Sequence, residues 1–255
     1  MAKIVFPLQA YQEKLLEELL QLFPMDQSLF IAGVAVGAVG KSVIRTGLKE
    51  KISGRQNLVN EEEQLKVIDK FKKDALRLKV PFDIYYSSYK DFQSLLEDKS
   101  RFANLTLLSE NNELRETNLH YLEKYNLASP VLLPSKQILH TKEILVPLLD
   151  DSCLYLLKQF MFTIPHFLKS RKVVVMARKP ENDKEIQEEK FLIEFLRANL
   201  SIVSFCWFDS ENAIEDTAQQ LSTLEKPSMI VISKKRINDF KESLNRDTVS
   251  IFTGN

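Results

Sequence analysis

Glu143-Ile144-Leu145-Val146-Pro147-Leu148 restarts a pattern met at the beginning of the chain, Lys3-Ile4-Val5-Phe6-Pro7-Leu8. Both stretches read as short buried strands. Their prolines, Pro7 and Pro147, hold the same place in each copy, 140 residues apart. Internal self-similarity of this kind sets the architecture before any single residue does. Each copy is followed by a helical stretch and then by alternating apolar runs and amphipathic segments. The chain therefore reads as two copies of one α/β unit, spanning residues 1–136 and 142–255.

In the first copy, Ala2 to Leu8 is a strand and Tyr11 to Phe23 a helix, with Leu15, Leu16, Leu19, Leu20 and Phe23 on one stripe. Leu29 to Val34 is a continuous apolar run, as expected of a strand covered on both faces. Gly33 to Gly54 shows no period and reads as a long excursion. Glu61 to Leu78 is helical, with three glutamates placed in its first turn, at the positive end of the helix dipole. Strands at Phe82–Tyr86, Asn104–Leu108 and Pro130–Leu133 follow, separated by helices at Tyr89–Leu96 and Glu113–Tyr125. Residues 134–142 are polar enough for a linker. The second copy repeats the order. Strands are expected at Ile144–Leu148, Lys172–Ala177, Ile202–Trp207, Met229–Ile232 and Val249–Phe252. Helices follow Ser152, which can cap the first of them, and cover Asp183–Asn199, Glu211–Leu224 and Ile237–Leu244. Strict β–α alternation means a parallel sheet with helices on both faces and right-handed crossovers.

Bulk properties narrow the function classes. The 255 residues suffice for two ordinary domains, each with its own core. Lys+Arg and Asp+Glu number 35 each. The balance holds within each half, so neither a nucleic-acid surface nor an anionic membrane surface is expected. Cys153 and Cys206 cannot form a disulfide framework and read as buried thiols of a reducing compartment. No signal-like segment opens the chain, and Leu29–Val39 is too short to span a bilayer. A cytoplasmic location is expected.

The opening Ile-Val-Phe-Pro-Leu and Ile-Leu-Val-Pro-Leu resemble the first strand of universal stress proteins, commonly Ile-Leu-Val-Pro-x-Asp. Ser129-Pro130-Val131-Leu132-Leu133-Pro134 resembles that family's last strand. The resemblance covers nearly the whole chain as two tandem copies. It implies two tandem five-stranded parallel sheets of order 3-2-1-4-5 with helices on both faces, an arrangement like that of the adenine nucleotide alpha hydrolases. It also implies an internal pseudo-dimer with the fifth strands paired, and it leaves room for a homodimer. Nucleotide-binding members place ATP at the switch point between strands 1 and 4. They use an acidic residue just after strand 1 and a glycine loop after strand 4.

This sequence departs from the pattern at both places. Gln9 and Leu149 stand where the acid is expected, with Asp150 and Asp151 slightly late. After strand 4 the copies read Ser109-Glu110-Asn111-Asn112-Glu113 and Ser233-Lys234-Lys235-Arg236-Ile237, without glycine. Side chains there obstruct the close backbone approach that phosphates need. The resemblance thus implies a degenerate nucleotide site, of which Asp150, Asp151, Lys234, Lys235 and Arg236 are the remnant.

Ala35-Val36-Gly37-Ala38-Val39-Gly40-Lys41-Ser42 offers a different site, a relaxed phosphate loop after an apolar strand. Gly40, Lys41 and Ser42 would then hold phosphate and magnesium. Its first glycine is alanine, and the following segment is broken by Gly47 and Gly54, so a glycine-bearing loop is the plainer reading. His120, His140 and His166 lack metal-ligand spacing, and no metal site is expected. Cys206 beside Trp207 reads as core, without a base to make it a nucleophile.

Three functions fit. The first is a regulatory, stress-response module that works through protein contacts, is not an enzyme and needs no cofactor. The second is an ATP-binding stress protein, and the third a phosphate-loop nucleotide-binding protein.

Overall fold

The computed structural model describes residues 2–8, 11, 14–23, 29–36, 55–88, 90–108, 119, 122, 124–209, 211–244 and 248–254, with no side chains described at 55–62. In chain order these form β1 (Ala2–Pro7), α1 (Leu15–Leu22), β2 (Leu29–Val36), α2 (Arg55–Arg77), β3 (Phe82–Ser87), α3 (Phe92–Ser100), β4 (Leu105–Leu107) and β5 (Val131–Leu133). They continue with β6 (Glu143–Pro147), α4 (Asp151–Thr163), α5 (Pro165–Leu168), β7 (Lys172–Arg178), α6 (Asp183–Asn199) and β8 (Ile202–Phe208). The last elements are α7 (Ala213–Thr223), β9 (Ser228–Ser233), α8 (Lys241–Leu244) and β10 (Val249–Gly254).

The strands form one ten-stranded sheet, ordered β3-β2-β1-β4-β5-β10-β9-β6-β7-β8. This corrects the expectation of two separate five-stranded sheets. Each run of five has the order 3-2-1-4-5, and the two runs are fused where β5 meets β10. That pairing is antiparallel, with Leu133 opposite Ile251 and Val131 opposite Thr253. Every other pair is parallel. The physical reason is edge chemistry. Val131, Leu132 and Leu133 are wholly apolar and buried, and an apolar strand edge left open exposes unpaired N–H and C=O groups. Joining the two fifth strands removes both edges at once.

Side-chain alternation along the strands divides the core into two layers. Ile4 and Phe6 face one layer, with α1, α2, α4, α5 and α6. Val5, Ala32 and Val34 face the other, with α3, α7 and α8. In α1, Leu15, Leu16, Leu19 and Leu22 are buried at helical spacing. In α2, Ile68, Phe71 and Ala75 do the same. Tyr11, ahead of α1, anchors the chain to α2. Its ring packs edge-on against Phe71 and its hydroxyl donates to Asp74 at 2.6 Å.

Several boundaries differ from the sequence reading for identifiable reasons. Lys14 takes a left-handed conformation, φ 71°, so α1 begins after it and not at Tyr11. β2 runs on to Val36, which places Gly33 inside the strand. A Cβ at Gly33 would stand 3.0 Å from the Leu8 side chain, so any larger residue there would have to displace Leu8. Residues 33–36, expected to open an excursion, belong to the strand, and residues 37–54, with Gly40, Lys41 and Ser42, lie outside the described residues, as do 109–118. α2 starts at Arg55, so Glu61, Glu62 and Glu63 are not in its first turn. Residues expected as one helix at Ile237–Leu244 form short 3-10 turns and the four-residue α8.

The 134–142 stretch is not a free linker. Ile138 is buried in a 3-10 turn. The Ser135 N–H donates to Ser250 Oγ at 2.9 Å, and Arg171 donates to the Leu139 carbonyl at 2.9 Å. Among the described residues no helix is long and apolar enough to cross a membrane.

Candidate functional site

β6 has β7 on one side and β9 on the other, and the chain reverses direction across the sheet between them. The carboxyl ends of such strands open a crevice, the usual ligand position in open α/β sheets. Here the crevice is a cleft of about 520 Å³. Leu148, Leu149, Leu154, Phe208, Ala213 and Ile214 give it an apolar wall; Asp150, Asp151, Arg178 and Arg236 give it polar ones.

Asp150 is the centre of the polar side. Its backbone is extended, at φ −156° and ψ 171°, and its side chain accepts from the Cys153 N–H at 3.1 Å. Asp150 is therefore the N-cap of α4, not Ser152. The Ser152 hydroxyl instead donates to Asp150 Oδ1. Across the crevice β9 ends at Ser233, whose hydroxyl lies 3.4 Å from Asp150 Oδ2. A 3-10 turn over Lys234–Arg236 follows and brings Arg236 Nε to 3.5 Å from the same oxygen. Arg236 also reaches Asp239 at 3.2 Å.

Burial alone pushes the Asp150 carboxyl up. The Ser152 and Cys153 hydrogen bonds and the Arg236 charge outweigh it and hold the group below the ordinary carboxylate range. Arg236 is raised, chiefly by its hydrogen bond to Asp239 against the opposing effect of burial. Arg178, on the far rim, pairs with Glu181. Both arginines of the cleft therefore already have carboxylate partners, and an entering anion must compete with Asp150, Asp239 or Glu181.

The structure brings together only part of the remnant site read from the sequence. Asp150, Asp151 and Arg236 share the cleft. Lys235 is exposed on the turn. Lys234 turns the other way, and its ammonium donates to the Tyr125 carbonyl at 2.7 Å, across the join between the two runs of strands. Burial lowers its pKa. Sequence spacing groups Lys234 with Arg236, but a 3-10 turn sends neighbouring residues to different sides. Sequence spacing does not point to Arg178 or the apolar wall. The signal available was their position at the ends of β7 and β8 and the start of α7. In the first run, Leu8 follows β1 and is fully buried against Gly33. The space beside it is about 10 Å³. Cys206, read as core, is only partly buried, because β8 is an edge strand.

An acid dependence follows. Glu143 is also held below the ordinary range: burial raises it, but Lys172 and the Glu225 N–H lower it more. Carboxyls with depressed folded pKa values stabilise the fold above the unfolded value of about 4, and that stabilisation is lost as pH falls through the folded value. Thermal melts should therefore show stability declining below about pH 4. Asp150→Ala should cost about 1 kcal/mol at pH 7 through the lost cap and should flatten the acid decline. An unchanged acid profile in the variant would remove Asp150 from this role.

No protein-family model matches the sequence, and no curated protein matches it. Solved structures do. The chain is similar to a universal stress protein from Archaeoglobus fulgidus DSM 4304, with a TM-score of 0.60 and 12% identity over 98% of this chain and 95% of that one. It is similar to a functionally unknown protein from Pseudomonas aeruginosa PAO1, with a TM-score of 0.55 and 12% identity over 99% and 92%. It is also similar to the cytoplasmic domain of a prokaryotic cation chloride cotransporter, with a TM-score of 0.51 and 13% identity over 99% and 94%. At such identities the likeness is one of fold, and this chain has the α/β fold of that universal stress protein.

Proposed function

We propose that the chain is a regulatory module of the universal stress protein type, built from tandem units at 1–136 and 142–255, which acts through contacts with a protein partner and does not hydrolyse ATP. The observation that carries this reading is the occupied charge at the switch point. Arg236 stands where a phosphate would need a cation, and it already faces Asp150 and Asp239. The turn that bears it contains no glycine. Backbone amides at a glycine turn make a preformed cradle for phosphate, whereas a paired side chain does not.

The second reading, an ATP-binding stress protein, is favoured by the cleft itself, whose apolar wall suits a base. Calorimetric titration of ATP at physiological salt separates the two. The expected result is binding no tighter than about 0.1–1 mM, roughly 4–5 kcal/mol. Asp150→Asn should tighten it, because one competing carboxylate is removed. A saturable micromolar site in the unaltered protein, lost in Arg236→Ala, would overturn the first reading and establish the second.

A further inference from the structure

The ten-stranded sheet ends at β3 and β8, and these edges are defended unequally. β3 carries the exposed Asp83, and Lys99 sits over its Tyr85 ring at 3.7 Å. Charges on an edge strand discourage pairing with another chain. β8 reads Ile202-Val203-Ser204-Phe205-Cys206-Trp207-Phe208, with no charge, proline or glycine. Ile202 is 50% exposed and Trp207 42%. The Phe205 and Trp207 rings stack on one face, 6.2 Å apart.

The backbone has a definite polarity. The Lys179 N–H donates to the Phe208 carbonyl at 3.2 Å, so the Phe208 carbonyl faces β7. Peptide groups alternate direction along a strand. Ile202, Ser204 and Cys206 thus also face β7, while Val203, Phe205 and Trp207 turn their N–H and C=O groups to the open side. Among the described residues no further strand lies there.

We infer that β8 is an association edge for a second copy of this chain, which pairs with it antiparallel about a two-fold axis at Phe205. That register sets Phe205 opposite Phe205 and Val203 opposite Trp207, each pair exchanging two hydrogen bonds, and so uses all three outward-facing residues. A shift by one residue sets each of them opposite a residue whose peptide groups face β7, and a shift by two leaves one of them without a counterpart. Small meets large at Val203 and Trp207, Ser204 meets Cys206, Ile202 meets Phe208, and no charge meets another. The same antiparallel edge joining already holds β5 to β10, so the dimer continues the sheet by a contact the chain uses internally. This inference is independent of the proposed function.

The test uses the full chain. Sedimentation over about 1–100 µM should show a monomer–dimer equilibrium. Trp207→Lys, with circular dichroism unchanged, should raise the dimer dissociation constant by about tenfold or more, because a lysine on the edge blocks pairing. Ser204→Cys gives an independent readout. Ser204 and Cys206 of the partner copy form a non-hydrogen-bonded pair with Cα atoms about 4.5 Å apart, within disulfide range. Mild oxidation should yield a covalent dimer, abolished when Cys206→Ser is added. A wild-type chain that stays monomeric throughout overturns the inference. So does a dimer that is indifferent to Trp207→Lys and fails to cross-link. A monomer that instead captures a foreign extended peptide along β8 would assign the edge to another protein and overturn the second-copy assignment.

Discussion

Phe252→Ala is expected to destabilise the whole molecule by about 3–5 kcal/mol. Phe252 is fully buried on β10. Its neighbours in the sheet are Leu132 of β5 and Val231 of β9. Its ring lies 4.7 Å from that of Phe160, on α4. Truncation removes a large apolar surface and leaves a cavity that this rigid join cannot close, since backbone pairing on both sides fixes β10. For a chain of this length the loss corresponds to a fall in melting temperature of roughly 10 °C. Because the residue sits where the two runs of strands meet, calorimetry should show one transition moving as a whole. Phe162→Ala is the control. Phe162 belongs to the same α4 but is 79% exposed, and its removal should change stability by no more than about 0.5 kcal/mol. A small effect at Phe252, or a split transition, would show that the join contributes little to the fold.

Much of this join was legible in the sequence. Val131–Leu133 and Val249–Phe252 are short and apolar, and the resemblance implied that fifth strands pair. Their fusion into one continuous sheet was not legible, because pairing geometry depends on backbone direction, which composition does not record. Nor was the structured character of 134–142. Its polar residues read as a linker, yet Ser135 and Ser250 satisfy one another beneath the surface, so those hydroxyls serve burial and not solvation.

The candidate site was legible as a location and as a partial residue list. Strand ends at a switch point are read from topology, and Asp150, Asp151 and Arg236 lie within it. Their pairing was not read. Nothing in the spacing of Asp150 and Arg236 along the chain says that they meet, since β9 brings them together only after crossing the sheet. The cap was misassigned for a related reason. Asp150 and Ser152 both suit an N-cap, and only the extended backbone at Asp150 decides between them.

Residues 1–140 expressed alone are expected to self-associate or to be poorly soluble, while the full chain remains in solution. Cutting there strips β5 of its antiparallel neighbour and leaves Leu132 and Leu133, both fully buried in the whole molecule, beside an open edge. Three polar contacts also go: Ser135 to Ser250, Lys234 to the Tyr125 carbonyl, and Arg171 to the Leu139 carbonyl. Each is a hydrogen bond made across the join, and a buried group left unsatisfied costs about 1–3 kcal/mol. The fragment contains β3 and β5 as its free edges and lacks β8. Asp83 guards β3, so association should run through β5, and light scattering should report dimers or larger species. Placing a lysine at the centre of that edge, Leu132→Lys, is too disruptive to read, because Leu132 is core. Val131 is buried as well, so no lysine on this strand is milder, and light scattering of the unaltered fragment is the test. A fragment that folds as a stable monomer would mean that β5 does not depend on β10, and that the ten-stranded sheet is two independent units laid side by side.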